Sequence, residues 1–152
     1  MSAESEAIEV MLETTLKSAE TAEELTAKIC NKAGFDEDER HQIEMAVHES
    51  MINAVRHGNK HDRSKRVWLS FRLFPDRLEI RIRDQGTGFD LGRVPDPLEA
   101  ENLLKVSGRG IFLIRSFVDE FRVYNLRGEG AEVILVKYRD LRKKLGTRGK
   151  AS

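Results

Sequence analysis

Three short stretches of this sequence combine residue types and spacings that could do chemistry. The first is HESMINAVRHGN, residues 48–59, in which Glu49, Asn53 and His57 recur at every fourth position. An α-helix turns about 100° per residue, so steps of four residues drift by only about 40°. The three side chains therefore form one slanting stripe on a helix, although the polar flank of an ordinary amphipathic helix has the same pattern. His57 and His61 are also four apart, but Gly58 between them should end the helix, which argues against a two-histidine metal site.

The second stretch is RIRDQGTGFD, in which Asp84 ends a predicted strand and Gly86 and Gly88 follow it. These glycines allow the backbone to approach a flat or charged ligand closely. An EF-hand is excluded because its bidentate glutamate would fall on Pro95. A dinucleotide fingerprint is excluded because the glycines, continuing to Gly92, are spaced G-x-G-x-x-x-G. A simple hairpin-like turn is the alternative for this stretch taken alone.

The third stretch is SGRGIFLIRSF, where Ser107, Gly108, Arg109 and Gly110 lie at the change from a loop to a helix. Free amides at a helix N-terminus, with glycines that permit close approach, suit a phosphate group. The stretch has no Walker A lysine and is therefore not a P-loop. A helix start that merely contains glycines is the alternative.

The elements before these stretches are predicted to be a strand or helix start followed by a helix. Residues 8–16 alternate loosely between apolar and polar and fit either a strand or the first turns of a helix. Residues 18–34 predict a helix that Ser18 or Thr21 caps and Gly34 ends.

A second, longer helix is predicted to begin at the capping residue Asp36 and to end at Gly58. It carries the Glu49 stripe. A loop over residues 86–107 then leads to a third helix, GIFLIRSFVDEF, over residues 110–121.

Four strands are predicted around this third helix, at about residues 67–74, 78–84, 121–126 and 132–138. In the first two, apolar and polar residues alternate, which indicates a sheet covered on one face. Helices on one face of such a sheet give an α/β (α+β) two-layer sandwich, with a mixed, mostly antiparallel sheet.

Composition fits one soluble domain. The chain has 152 residues, of which 39% are hydrophobic and 34% charged, and no apolar run approaches the length of a membrane span. The N-terminus does not have the pattern of a signal peptide. The single cysteine, Cys30, points to a reducing cytoplasm. We expect a core over about residues 8–138 and a basic tail over 139–152.

The order of the three stretches resembles the N box, G1 box and G2 box of the GHKL ATPase superfamily, over about residues 36–138. More narrowly, HESMINAVRHGN, DQGTGFD and VPDPLEAENLLKVSGRGIFLIRSFVDEF resemble the anti-sigma factor serine kinases of bacterial partner-switching systems. The resemblance implies the histidine-kinase-like ATPase fold, with ATP and Mg²⁺ as cofactors.

The resemblance gives roles to the helix stripe and to the first glycine stretch. Glu49 would be the general base, Asn53 would hold Mg²⁺, and His57 matches the trailing histidine of the N box. Asp84 would accept a hydrogen bond from the adenine amino group. Room for the adenine ring would come from two glycines, Gly86 and Gly88.

The third stretch would be the end of a lid over about residues 91–107. By resemblance, amides near Ser107, Gly108, Arg109 and Gly110 would wrap the phosphates. The final strand of this family often begins Gly-Thr, with the threonine helping to bind adenine, whereas here Gly130 is followed by Ala131.

The implied function is that of an ATP-dependent serine kinase and anti-sigma factor, commonly a homodimer. It would sequester a sigma factor and phosphorylate a STAS-domain anti-anti-sigma antagonist on serine. Two alternatives are a non-catalytic binding module with the same fold and the separate catalytic module of a split histidine kinase. We do not expect membrane association. A frayed terminus is favoured over nucleic-acid binding for the basic tail.

Overall fold

The computed structural model describes residues 6–86, 109–126 and 129–139, without the side chains of residues 109–112. The elements in chain order are β1 (Glu6–Glu13), α1 (Lys17–Ala33), α2 (Glu37–Asn53), a π-helical turn (Ala54–Gly58), β2 (Arg66–Leu73), β3 (Arg77–Arg83), α3 (Arg109–Phe117), β4 (Glu120–Asn125) and β5 (Ala131–Tyr138).

The five described strands form one sheet in the order β1-β2-β3-β5-β4. All four neighbouring pairs in it are antiparallel, so no described pair supplies the parallel part of the predicted mixed sheet. Residues 8–16, for which the pattern left two possibilities, are mostly strand. Strand β1 pairs with β2 from Glu6 opposite Leu73 to Glu13 opposite Arg66, and this pairing provides backbone partners that the isolated segment lacks.

The helices cover one face of the sheet, as predicted. α2 packs between α1 and α3, and the alternating apolar residues of β2 and β3 point toward them. These strand residues are fully or almost fully buried: Val67, Leu69, Phe71, Leu78, Ile80 and Ile82. The two-layer α+β architecture is therefore confirmed.

The predicted cap of α1 is wrong. Leu16 occupies the N-cap position without a side-chain cap, and Ser18 lies inside the helix. The Ser18 hydroxyl instead donates to the carbonyl of Glu13 at 2.7 Å, because the short connection brings the helix start against the end of β1. Gly34 ends the helix as predicted, in the left-handed conformation with φ 82°.

The predicted end of the third helix is also wrong. α3 ends at Phe117, and Phe121 lies in β4 opposite Leu135 of β5. The backbone N–H of Asp119 already donates to the carbonyl of Val136 at 2.9 Å. Pairing with β5 therefore takes over from a helical pattern that continues to Phe121.

α2 begins where the sequence places it. The side chain of Asp36 accepts the N–H of Glu39 at 2.8 Å, and the Glu39 side chain accepts the N–H of Asp36 at 3.1 Å, which is a capping box. This start fixes the rotation of the helix that carries Glu49 and Asn53. None of the described helices has both the length and the apolarity needed to cross a membrane.

Candidate active site

The last two turns of α2 present the predicted stripe. Glu49 and Asn53 are half-buried, whereas their helix neighbours Ser50, Met51 and Ala54 are buried in the core. The Nδ2 atom of Asn53 is buried and finds no hydrogen-bond partner among the described residues. An unpaired buried N–H donor costs free energy, so a hydrogen-bond acceptor that reached this nitrogen would offset the cost.

The end of the helix is a π turn rather than the α-helical end that was predicted. It spans Ala54–Gly58, and the N–H of Asn59 donates to the carbonyl of Ala54, five residues earlier, at 2.7 Å. A π turn holds more residues than an α turn, so four residues rotate by less there. The step from Asn53 to His57 therefore does not carry the drift of about 40° that four residues of an α-helix would give. π turns of this kind are frequent at functional sites.

His57 is more exposed than Glu49 and Asn53. Desolvation lowers the pKa of His57, and the neighbouring Arg56 guanidinium lowers it further. The imidazole is therefore mainly neutral at neutral pH and offers a nitrogen lone pair as well as an N–H donor.

Asp84 follows directly after β3 and is only 6% exposed. Its Oδ1 accepts the N–H of Gly86 at 2.9 Å and the N–H of Ala131 at 3.1 Å. Burial raises the pKa of Asp84, and these two N–H donors oppose the rise. Within the described part of the chain, Oδ2 has no hydrogen-bond donor, so it remains a free acceptor.

Three glycines allow backbone segments to meet around this carboxylate. A Cβ on Gly58 would lie 2.2 Å from Oδ2 of Asp84, and one on Gly86 would lie 2.0 Å from the carbonyl oxygen of Gly58. Gly130 has φ +114°, and its Cβ would lie 2.0 Å from the carbonyl oxygen of Asp84. Sequence reasoning singled out Gly86 for close approach, but it missed these contacts of Gly58 and Gly130.

Sequence reasoning also missed Asn59, which is 1% exposed. Its Oδ1 accepts the N–H of Gln85 at 2.7 Å, so it joins the end of the helix to the residue after Asp84. The signal in the sequence is weak, since a polar residue after a predicted helix end is usually solvated.

The remaining predicted site residues are only partly covered by the structure. Gly88, Ser107, Gly108 and the predicted lid lie outside the described residues. The backbone of Arg109 and Gly110 lies in α3, and their contact with phosphate groups stays a prediction.

The described residues fit a nucleotide and Mg²⁺. A buried carboxylate with one uncommitted oxygen is suited to an amino group of a flat base, and the three glycines keep side chains away from it. At the other end, Asn53 could offer its amide oxygen, a hard ligand suited to Mg²⁺. The two ends are joined, because Gly58, in the turn that follows Asn53, contacts Asp84.

Comparison with known proteins shows the family to which the chain belongs. Residues 12–137 match the family of histidine kinase-like ATPase domains. The serine-protein kinase RsbW of Bacillus subtilis strain 168 is 32% identical over 116 residues, which cover 72% of this chain and 71% of that protein. The RsbW of Listeria innocua serovar 6a is 29% identical over 116 residues, which cover 72% of this chain and 73% of that protein. The RsbW of Bacillus licheniformis is 37% identical over 101 residues, which cover 62% of this chain and 63% of that protein.

A solved structure shares the fold. It is the crystal structure of the RsbU and RsbW domains of a Mycobacterium tuberculosis protein, with TM-score 0.63 and 18% identity. The match covers 89% of this chain and 33% of that longer chain. The chain therefore belongs to the histidine kinase-like ATPase family and, within it, to the protein serine kinases of the RsbW type.

Proposed function

We propose that this chain is an ATP-dependent serine kinase that also acts as an anti-sigma factor. It would transfer the γ-phosphoryl group of ATP to a serine of a STAS-domain antagonist and would hold a sigma factor in an inactive complex in the cytoplasm. Two features together carry the proposal. One is the uncommitted Oδ2 of Asp84. The other is the helix with Glu49 and Asn53, because Gly58 in the turn that follows it lies against Asp84.

Recognition of the base follows from the hydrogen bonds of Asp84. Since Oδ1 is occupied by two backbone N–H groups, Oδ2 is left to accept one donor. An ionised carboxylate accepts hydrogen bonds only. The adenine amino group is a donor, whereas a carbonyl oxygen at the same position of a base would be repelled. The site would therefore select adenine nucleotides.

Phosphoryl transfer would use the helix stripe. Glu49 would take the proton from the attacking serine hydroxyl as that oxygen forms its bond to the γ-phosphorus and the bond to the ADP oxygen breaks. Bound Mg²⁺ would neutralise charge on the phosphate oxygens, and Asn53 would hold it. Neutral His57 would add a donor toward the phosphates without itself carrying a charge.

The first experiment is a calorimetric titration of ATP and ADP, with and without Mg²⁺, into the wild type and Asp84→Asn. We expect Mg²⁺-dependent binding to the wild type and at least tenfold weaker binding to Asp84→Asn, whose amide can turn a donor toward the adenine amino group. A folded wild type that binds neither nucleotide would overturn the proposal.

Transfer itself is tested with a STAS-domain substrate and Glu49→Gln. This variant should bind ATP as the wild type does and lose phosphotransfer. Acid-stable product indicates phosphoserine and separates this proposal from a split histidine kinase, because phosphohistidine is acid-labile.

A non-catalytic binding module is the second candidate, and one observation favours it. Ala131 supplies a backbone N–H to Asp84 but lacks the hydroxyl that this family often has at that position. Partner binding without any nucleotide-dependent phosphorylation would support this candidate. We further propose a homodimer, which sedimentation of the full chain over a range of concentrations would test.

A further inference from the structure

The side chain of Asn59 has an unusually complete set of hydrogen bonds for a residue just beyond a helical segment. It is 1% exposed. Its Nδ2 donates to Oγ1 of Thr14 at 2.9 Å and to the carbonyl of Arg66 at 3.0 Å, and its Oδ1 accepts the N–H of Gln85 at 2.7 Å. Both of its N–H donors are therefore used, and the amide orientation is fixed by its partners.

These partners come from three different parts of the sheet. Thr14 follows β1, Arg66 begins β2, and Gln85 follows β3. The Thr14 hydroxyl donates in turn to the carbonyl of Lys65 at 2.7 Å. Asn59 thus fastens the end of the π turn to the ends of three strands.

The hydrogen bond to Gln85 acts on the Asp84–Gly86 loop, which carries the carboxylate proposed to recognise the base. Gln85 lies between Asp84 and Gly86, so its N–H belongs to the backbone that aims the Asp84 carboxylate. The side chain of Gln85 accepts the N–H of Arg66 at 2.7 Å, and the carbonyl of Arg66 accepts from Asn59. A closed ring of hydrogen bonds therefore runs from Asn59 through Gln85 and Arg66 back to Asn59.

The ring links the two halves of the proposed nucleotide site. Asp84 is on the sheet side, whereas Asn53 is on the helix that Asn59 follows. Among the described residues, Asn59 is the side chain that hydrogen-bonds from this helical segment to the loop. A ligand bound at both ends requires their separation to be fixed beforehand, because ordering them on binding would cost affinity.

We propose that Asn59 is a positioning residue that sets nucleotide affinity by holding the Asp84–Gly86 loop against the helical segment of Asn53. This inference rests on the proposed nucleotide site. The hydrogen-bond partners of the Asn59 side chain are Thr14, Arg66 and Gln85 rather than Asp84 or Asn53, so it would act through Gln85. Its loss should therefore weaken binding of ATP and ADP equally and leave the chemical step at saturating ATP almost unchanged.

The test compares Asn59→Ala with the wild type by ATP and ADP titration and by phosphotransfer kinetics. We expect the Kd of both nucleotides and the KM for ATP to rise about tenfold or more, with kcat within about twofold. A folded Asn59→Ala with wild-type Kd values, or with a lowered kcat and an unchanged KM, would overturn the inference. A wild type that binds no nucleotide would instead refute the proposed function.

Asn59→Asp serves if the alanine variant does not fold. It keeps the shape and the acceptor for Gln85, but it replaces the two donors with an acceptor and adds a negative charge close to Asp84. A nearby like charge raises the pKa of a carboxyl, so the acid limit of nucleotide binding should move to higher pH. Thr14→Val is the control, because it removes one acceptor of the Asn59 Nδ2 group but keeps the hydrogen bond between Asn59 and Gln85. Its Kd for ATP should stay within about threefold of the wild-type value. An unchanged pH profile and Kd in Asn59→Asp would overturn the inference.

Discussion

At the scale of single residues, the site depends on how Asp84 divides its two oxygens. One oxygen is saturated by the backbone N–H groups of Gly86 and Ala131, and the other is left for a ligand. A carboxylate that is 6% exposed would normally pick up a proton or a cation. The two backbone N–H donors favour the charged form and so oppose the rise in the pKa of Asp84 that burial causes.

The raised pKa of Asp84 predicts opposite pH dependences for stability and for binding. The native chain retains this proton at pH values where the unfolded chain has released it. Hence the contribution of Asp84 to stability decreases as pH rises from its ordinary pKa through the raised one. Nucleotide affinity needs the charged form and should fall by about tenfold per pH unit below the raised pKa.

Calorimetric titration of ADP between neutral and mildly acidic pH measures this acid limit. Glu49→Gln should show the same limit as the wild type, because it retains Asp84. A limit that disappears in Glu49→Gln would assign the titration to Glu49 and contradict the prediction.

Ala131 offers a gain-of-function prediction. It is 8% exposed and donates its N–H to Asp84, so its side chain begins beside the carboxylate. Ala131→Thr restores the residue that the family often has there, and one added hydrogen bond should raise ATP affinity about three- to tenfold. Ala131→Val is the matched control, since it adds similar bulk without a hydroxyl. Equal affinities of the two variants would count against a role for the hydroxyl.

At the scale of elements, the site exists where three segments that are distant in sequence come into backbone contact. The π turn after α2, the loop after β3 and the start of β5 touch at Gly58, Gly86 and Gly130. Each contact excludes a Cβ, so the segments approach more closely than ordinary side chains would permit. The elements therefore position Asp84 mainly by backbone contact, which limits how far it can move.

Gly130→Ala should lose both stability and nucleotide binding. Its φ of +114° strains any L-residue, and the new Cβ would meet the carbonyl oxygen of Asp84. Gly34→Ala is the matched control, because it has φ 82° at the end of α1, away from the site. Both variants should be destabilised in urea melts by about 1 kcal/mol or more, but only Gly130→Ala should weaken ATP binding. Wild-type affinity in a folded Gly130→Ala would refute the contact-based account.

At the scale of the whole molecule, the reactivity of the buried Cys30 thiol can be used to measure global stability. Cys30 is 0% exposed, and burial raises the pKa of its thiol to about 12. The charge of nearby Glu44 contributes to this rise. Alkylation requires an exposed thiolate, so Cys30 should react only when the domain opens.

We therefore expect native protein to resist iodoacetamide at pH 8 and unfolded protein in urea to react at once. ATP at 100 times its Kd should slow the native reaction about a hundredfold, because it stabilises only the folded state. At the same ATP concentration, Asp84→Asn should be protected about tenfold or less, because its Kd should be at least tenfold higher. Rapid labelling of the native wild type would show that α1 opens locally rather than with the whole domain.

The sequence by itself determined the features whose causes are local. Alternation placed the inner residues of β2 and β3, Asp36 marked the start of α2, and Gly34 marked the end of α1. The order of the three motifs was sufficient to indicate the family. These signals depend on neighbours within one or two turns, or on alternation along one strand, and such neighbours are visible in the sequence.

Only the tertiary structure decided the features that depend on distant partners. β1 is a strand because β2 pairs with it, and α3 ends at Phe117 because the residues that follow pair with β5. The bonds of Asn59 to Thr14 and of Ala131 to Asp84 span 45 and 47 residues. No local pattern encodes such pairings, because they form only once the strands and the helix end have been brought together by the packing of the core.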